Sequence, residues 1–199
     1  MKGVLPELCV HHIPLVEGAV PVQKRPYRMN RNYTTRVIEE IKRMLEAGII
    51  FKVQTSEWVS PIVISLKKDT IQIRICVNFG CLNAVTINDP FPLPFTNNIL
   101  EEVAGHEIYS FMDGFSGYNQ ICIAKEDKLK TTFVVEGGVY AYNRMPFNLC
   151  NVPVTFQRII LHIFDEMSVK NFKAFLDDWS VFNTEDKHLA VLGECMERC

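Results

Sequence analysis

The sequence predicts an α+β fold, an antiparallel sheet with helices packed on one face. Two patterns carry that expectation. Ile71, Ile73, Ile75 and Val77 alternate with Gln72, Arg74, Cys76 and Asn78, the period of a half-buried strand. Phe156, Ile159, Ile160, Ile163, Phe164 and Met167 recur instead at helical spacing, the stripe of a helix laid on a core. A chain of 199 residues with 48% hydrophobic content can bury that core as one domain or two closely joined subdomains.

The elements follow in order. Residues 1–32 carry Pro6, Pro14, Pro21 and Pro26 with little periodicity, so they read as an extended lead-in, basic through Lys24, Arg25, Arg28 and Arg31. Val37, Ile38, Ile41, Met44 and Leu45 then mark a helix, with Thr34 or Thr35 to cap its start and Gly48 to end it. A hairpin follows: Ile62 to Leu66 is one strand, residues 67–70 are the turn, and the alternating run returns with Arg74 on the face opposite the isoleucines. Residues 33–88 form a first subdomain, with part of 120–150 as a candidate contributor. Asp89-Pro90-Phe91-Pro92-Leu93-Pro94 is a stiff connector, because prolines at that density suit neither helix nor central strand.

Residues 95–199 form the second subdomain. A short helix at Ile99 to Val103 precedes a strand from Glu107 to Met112 that ends at Asp113-Gly114, and a loop or short helix runs through Tyr118. Strands near 120–123, 131–135 and 139–142 come next, with Gly137-Gly138 as a turn. Pro153 lies in the first turn of the long apolar helix. Phe172 to Leu176, Asp177-Asp178 and Trp179 to Phe182 then read as strand, turn and strand, and a last helix starts after Thr184.

Composition narrows the function class only weakly. The net charge of -2 carries no global basic signature, so any nucleic-acid contact must come from local patches. Seven cysteines without a CxxC pair favour a reducing, intracellular compartment over a disulfide framework. Cys195 and Cys199, one helical turn apart with His188 nearby, could hold a metal or simply pack. No stretch has the pattern of a signal peptide or a membrane span, so no membrane partner is expected.

The chemistry-bearing residues are the carboxylates. Phosphoryl transfer to a 3′ hydroxyl needs a deprotonated nucleophile and neutralisation of a triphosphate, and two divalent ions about 4 Å apart supply both. Mg²⁺ prefers oxygen ligands, so clustered aspartates are the fitting residue type. Asp177 and Asp178 in a turn between apolar strands, with Asp113 at the end of another strand, form such a cluster if those strands are neighbours. Without cations the three would repel and raise one another's pKa. An acidic pair alone is equally consistent with a solvated turn.

The order of motifs resembles the reverse transcriptase of gypsy-type long-terminal-repeat retrotransposons. Glu57-Trp58-Val59-Ser60-Pro61 and Leu82-Asn83 resemble its fingers, and residues 89–94 its proline-rich connector. Residues 111–121, Phe-Met-Asp-Gly-Phe-Ser-Gly-Tyr-Asn-Gln-Ile, resemble the block that holds the first catalytic aspartate. Met145 to Leu149 and Asn151 to Gln157 resemble the block before the palm helix, and Phe175-Leu176-Asp177-Asp178 the acidic box, with phenylalanine in the tyrosine place. The resemblance implies a right-hand polymerase, fingers then palm, truncated before the thumb. It implies an RNA-directed DNA polymerase that uses two Mg²⁺ ions, with Mn²⁺ as a substitute. The expected partners are an RNA or DNA template with primer, deoxynucleoside triphosphates, and the remaining pol regions, thumb and ribonuclease H. A truncated remnant that keeps the fold without catalysis is the alternative.

The same resemblance assigns residues. Asp113, Asp177 and Asp178 bind the metals and carry catalysis. Lys67 and Arg74 match the cations that hold the incoming triphosphate, and Tyr118 the aromatic that lies under the sugar and excludes a 2′ hydroxyl. Phe147 matches a position near the nucleotide, and Asn148 and Gln157 match positions near the template and primer. The chain departs from the family pattern at Asn78 and Gly80, where an acid and a base are usual, and at Asn148, where glycine is usual. Asparagine tolerates positive φ, but its side chain is expected to intrude where nucleotide or base pair approaches.

Overall fold

The structure is a computed structural model and describes residues 9–66, 73–114, 117–165 and 171–198. The chain divides into two compact units, residues 1–88 with 118–152, and residues 89–117 with 153–199.

In the first unit, helix α1 (Arg31–Glu46) buries Val37 and Ile41 and ends, as expected, just before Gly48 at φ 68°. Its start lies earlier than either threonine. Asn30 is the cap, its side chain accepting from the Asn32 amide, so the Arg31 to Thr34 stretch adds a turn with no apolar periodicity to announce it. Strands β2 (Ile50–Lys52), β3 (Ser60–Leu66) and β4 (Ile73–Val77) join β7 (Phe133–Val135) and β8 (Gly138–Tyr142) in a sheet of order β2-β8-β7-β3-β4. The β3–β4 register sets Ser65 opposite Arg74 and Ile64 opposite Ile75, which places Arg74 on the exposed face as the alternation predicts. The β7–β8 turn is Glu136-Gly137, one residue before the expected one, because Gly138 already pairs with Val135.

The proline-containing lead-in is extended but not loose. Strand β1 (Val10–His11) pairs in parallel with β6 (Cys122–Ile123), and His11 and Ile13 are buried. Asp127, 4% exposed, accepts from the Ile13 amide at 2.8 Å and from Lys130 Nζ at 2.6 Å, with His12 at 3.7 Å. Further on, the lead-in and Val59 exchange backbone bonds: Val59 N–H donates to the Val22 carbonyl and Lys24 N–H to the Val59 carbonyl. A short helix α2 (Gly80–Asn83) follows β4.

In the second unit, β5 (Ile108–Asp113), β10 (Asp178–Asn183) and β9 (Phe172–Phe175) form an antiparallel sheet of order β5-β10-β9. Two helices cover one face. From α4 (Val152–Ile163), with Pro153 in its first turn, the chain runs on to Phe164, which stacks on Phe172 at 4.3 Å and tilts against Trp179 at 5.6 Å. From α5 (Glu185–Arg198), His188 Nε2 bonds Ser110 Oγ at 2.8 Å and Cys195 is wholly buried. Thr184 donates to the Asp186 carboxylate at 2.6 Å, which tethers the first turn of α5 and holds Asp186 below its usual range. Helix α3 (Thr96–Val103) ion-pairs Glu102 with Lys173 of β9. The proline-rich stretch is fastened to α4: Arg158 Nη2 donates to both oxygens of Asp89 and its guanidinium lies 4.8 Å from the Phe91 ring centre. No helix among the described residues is long and apolar enough to cross a membrane.

Candidate active site

Register brings the carboxylates together. Asp178 is directly opposite Asp113 in the β5–β10 ladder, and such partners hold their Cβ atoms about 4.5–5.5 Å apart. Asp177 occupies the preceding two-residue turn, and its backbone oxygen accepts from the Gly114 amide at 2.9 Å, which ties the turn to the end of β5. One carboxylate oxygen of Asp177, Oδ1, is fully shielded and has no hydrogen-bond partner among the described residues. Burial pushes the Asp177 carboxyl up, and the charges of Asp113 and Asp178 push it the same way.

The turn that achieves this is strained. Leu176 has φ 55°, a backbone conformation that a branched, non-glycine residue avoids. Three groups hold it there. Gln157, with no exposed surface, accepts from the Leu176 amide at 2.8 Å and donates to the Ala174 carbonyl at 2.9 Å. Trp179 Nε1 donates to the Leu176 carbonyl at 3.1 Å. Close packing completes the enclosure: a Cβ on Gly117 would lie 2.5 Å from Phe156 and 3.3 Å from Asp177 Oδ1. Beside the carboxylates an open depression of about 390 Å³ is lined by Phe111, Met112, Asp113, Asp178, Trp179 and Ser180. Phe111 stands 77% exposed on the same face as Asp113, two residues along the strand.

The other expected site residues lie in the first unit or at its edge, except Gln157. Tyr118 is buried and meets Phe147 edge-on at 4.9 Å, while Phe147 remains 55% exposed. Arg74 is exposed on β4, and Lys67 lies outside the described residues. Asn148 adopts φ 73°, as its expected tolerance of positive φ allows. Its side chain does not project freely: Nδ2 donates to the Val77 carbonyl at 3.2 Å. Asn83 closes the loop from the other side, donating to the Asn148 carbonyl and accepting from the Cys150 amide. At the other two departures, Asn78 Oδ1 accepts from the Gly80 amide and Asn78 Nδ2 donates to Tyr27, so a small polar turn stands where an acid and a base are usual. Gln157, expected near the template, spends its amide on the acidic hairpin. Its buttressing role had one faint sequence signal, a polar residue on an otherwise apolar helix stripe.

His12, Glu126 and Asp127 also place ligand-type atoms close together, but Asp127 is already engaged by Lys130 and the Ile13 amide. For Cys195 and His188, the second cysteine, Cys199, lies outside the described residues.

The family described as reverse transcriptase (RNA-dependent DNA polymerase) matches residues 66–199. The chain belongs to the reverse transcriptase family. It is 31% identical over 185 residues to the retrovirus-related Pol polyprotein from transposon gypsy of Drosophila melanogaster, covering 88% of this chain and 18% of that protein. It is 35% identical over 173 residues to the Pol polyprotein from transposon opus of the same organism, covering 84% and 17%. An RNA-directed DNA polymerase homolog of Oenothera berteroana is 31% identical over 134 residues, 64% of this chain and 94% of its own length. The chain thus spans less than a fifth of the Drosophila polyproteins. Its fold matches a foamy viral protease-reverse transcriptase solved with an RNA/DNA hybrid, at TM-score 0.86 and 21% identity over 99% of this chain and 26% of that one. The likeness to gypsy-type elements expected from motif order is therefore present, and so is the reverse transcriptase fold.

Proposed function

We infer that this reverse transcriptase domain adds deoxynucleotides to a primer 3′ hydroxyl on an RNA or DNA template, and that Asp113, Asp177 and Asp178 hold the divalent cations for it. The observation that carries this reading is the orphaned, shielded Oδ1 of Asp177 between two further carboxylates. A folded protein rarely leaves a buried anion uncompensated beside two like charges, and a hard cation is the compensation that this all-oxygen donor set fits. Mg²⁺ ions held by these three aspartates would neutralise charge on the triphosphate and lower the pKa of the attacking hydroxyl.

The chain's own residues do the positioning. Gln157 and Trp179 fix the strained Leu176 turn, so Asp177 is presented without rearrangement when a cation arrives. Tyr118, kept in place by Phe147, is a rigid ring of the kind that rejects a 2′ hydroxyl by contact. Arg74, exposed on β4, and Lys67 are the cations that this reading assigns to the triphosphate. Asn148, tied back to Val77, leaves the exposed Phe147 as the projecting side chain of its loop. The foamy viral relative bound to an RNA/DNA hybrid supports a nucleic-acid duplex as the partner class.

Primer extension on an RNA template with Mg²⁺ tests the reading, using this chain and one extended through the following pol region. Incorporation is expected, and Asp177→Asn is expected to lower it by at least about 10²- to 10³-fold, the scale for losing one preorganised charge contact. Equal incorporation by wild type and Asp177→Asn would overturn it.

A further inference from the structure

The sheet that carries the acidic hairpin also carries a cation. Strands β5, β9 and β10 contain one basic residue, Lys173. The ladder sets Lys173 opposite Ser180 and Ser180 opposite Phe111, and the next row along the same face is Phe175, Asp178 and Asp113. Residues directly opposite one another share a face, and so do residues two apart on a strand, so Lys173 lies on the carboxylate face as the diagonal neighbour of Asp178. Burial agrees with this placement. Phe172 and Ala174, on either side of Lys173, are buried, whereas Lys173 is partly exposed.

Diagonal neighbours in a sheet lie about 7–8 Å apart, within reach of a long side chain. The residue between the lysine and the carboxylates is small. Ser180 lines the open depression together with Asp113 and Asp178, so no bulky side chain of β10 separates the ammonium from the acids. Lys173 is turned elsewhere all the same: its Nζ pairs with Glu102 of α3. Electrostatics gives the two positions of the ammonium different consequences. An ammonium that reached Asp178 would neutralise a ligand oxygen and compete with any cation for it. Held by Glu102, it leaves the oxygens free and only repels a cation from a distance.

We propose that Lys173 is a positioning residue of the cation site, a fixed charge whose distance from the carboxylates is set by Glu102 and which thereby tunes how tightly Asp113, Asp177 and Asp178 hold divalent ions. Tethered, it weakens that hold without occupying it. Released, it competes for Asp178. The inference rests on the reading of the three aspartates as cation ligands.

Binding of Mn²⁺ to the whole chain at low salt, followed by the electron paramagnetic resonance signal of the free ion, tests this without turnover. Asp177→Asn identifies the site, since the binding that it removes is the binding at the aspartates. Lys173→Met should tighten that binding about 5-fold, the repulsion between a single and a double charge about 8 Å apart in water. Lys173→Arg, which keeps the charge, should stay within about 2-fold of the wild type. Glu102→Gln should weaken binding about 2- to 5-fold, the worth of an exposed lysine–carboxylate pair formed with Asp178 in place of the one lost. The double variant should bind as Lys173→Met does, because Glu102 acts through the lysine. Both single effects should shrink above about 0.3 M salt, as screening requires and as rearranged packing would not. Unchanged binding in Lys173→Met, tighter binding in Glu102→Gln, or strict additivity in the double variant overturns the proposal. If Asp177→Asn binds Mn²⁺ as the wild type does, the ligand reading fails and this proposal falls with it; site-specific binding that ignores Lys173 sinks this proposal alone.

Discussion

Two inward-turned carboxylates in this chain have opposite surroundings. Asp127, in the first unit, is 4% exposed, and both of its oxygens are used, one by Lys130 and one by the Ile13 amide. Asp177, in the second unit, keeps one shielded oxygen with no partner and faces two further acids. The first is a finished contact whose energy goes into pinning the lead-in. The second is an unfinished one, maintained by a strained backbone and by packing around it. A satisfied buried acid is accounted for by the fold alone, whereas an unsatisfied one calls for a further explanation, which the proposed cations supply.

The largest expected effect falls on the finished acid. Asp127→Ala strips the counter-charge from Lys130 and a partner from the Ile13 amide, and should cost about 3–5 kcal/mol in denaturant unfolding. If Asp177→Ala costs as much without divalent ions, the contrast between the two acids collapses. Next comes Gly117→Ala, which forces Phe156 to move and should cost about 1–3 kcal/mol while disturbing the Asp177 side chain. Unchanged stability and Mg²⁺ response would show that the close approach is soft.

Gln157→Ala leaves the Leu176 amide and the Ala174 carbonyl without their side-chain partner, for a similar loss of about 1–3 kcal/mol. A double-mutant cycle with Leu176→Gly sharpens this, because glycine relieves the positive φ that Gln157 restrains. Coupling of roughly 0.5–3 kcal/mol is expected, and strict additivity would mean that Gln157 does not hold the turn.

The smallest effect is the pH dependence. The folded-state pKa of Asp177 lies above its unfolded value, so the proton stabilises the fold at low pH. That contribution is complete below the unfolded pKa and is lost as pH rises through the folded one. Without divalent ions, melting temperature should therefore carry a penalty toward neutral pH that Asp177→Asn removes. Mg²⁺ should raise the wild-type melting temperature and leave that of Asp177→Asn nearly unmoved. Identical pH profiles for the two proteins would contradict the burial and like-charge repulsion assigned to the Asp177 carboxyl.

What the sequence determined by itself was local and periodic. Period-two alternation set which way Arg74 faces, the helical stripe before Phe164 set the helix behind the second sheet, and motif order named the family. Asp113, Asp177 and Asp178 were legible because an acidic pair between apolar runs suits a turn, and a third acid ends another strand. Helix α1 shows the limit, since its first turn rests on an Asn30 side-chain bond and not on apolar spacing. The tertiary structure alone decided the rest: that Gln157 serves the hairpin, that Asn148 folds back onto Val77, and that a proline-containing lead-in pairs with Val59 and β6. Those contacts join residues far apart in the chain, and whether a polar side chain meets a partner or stays orphaned depends on what folding brings beside it.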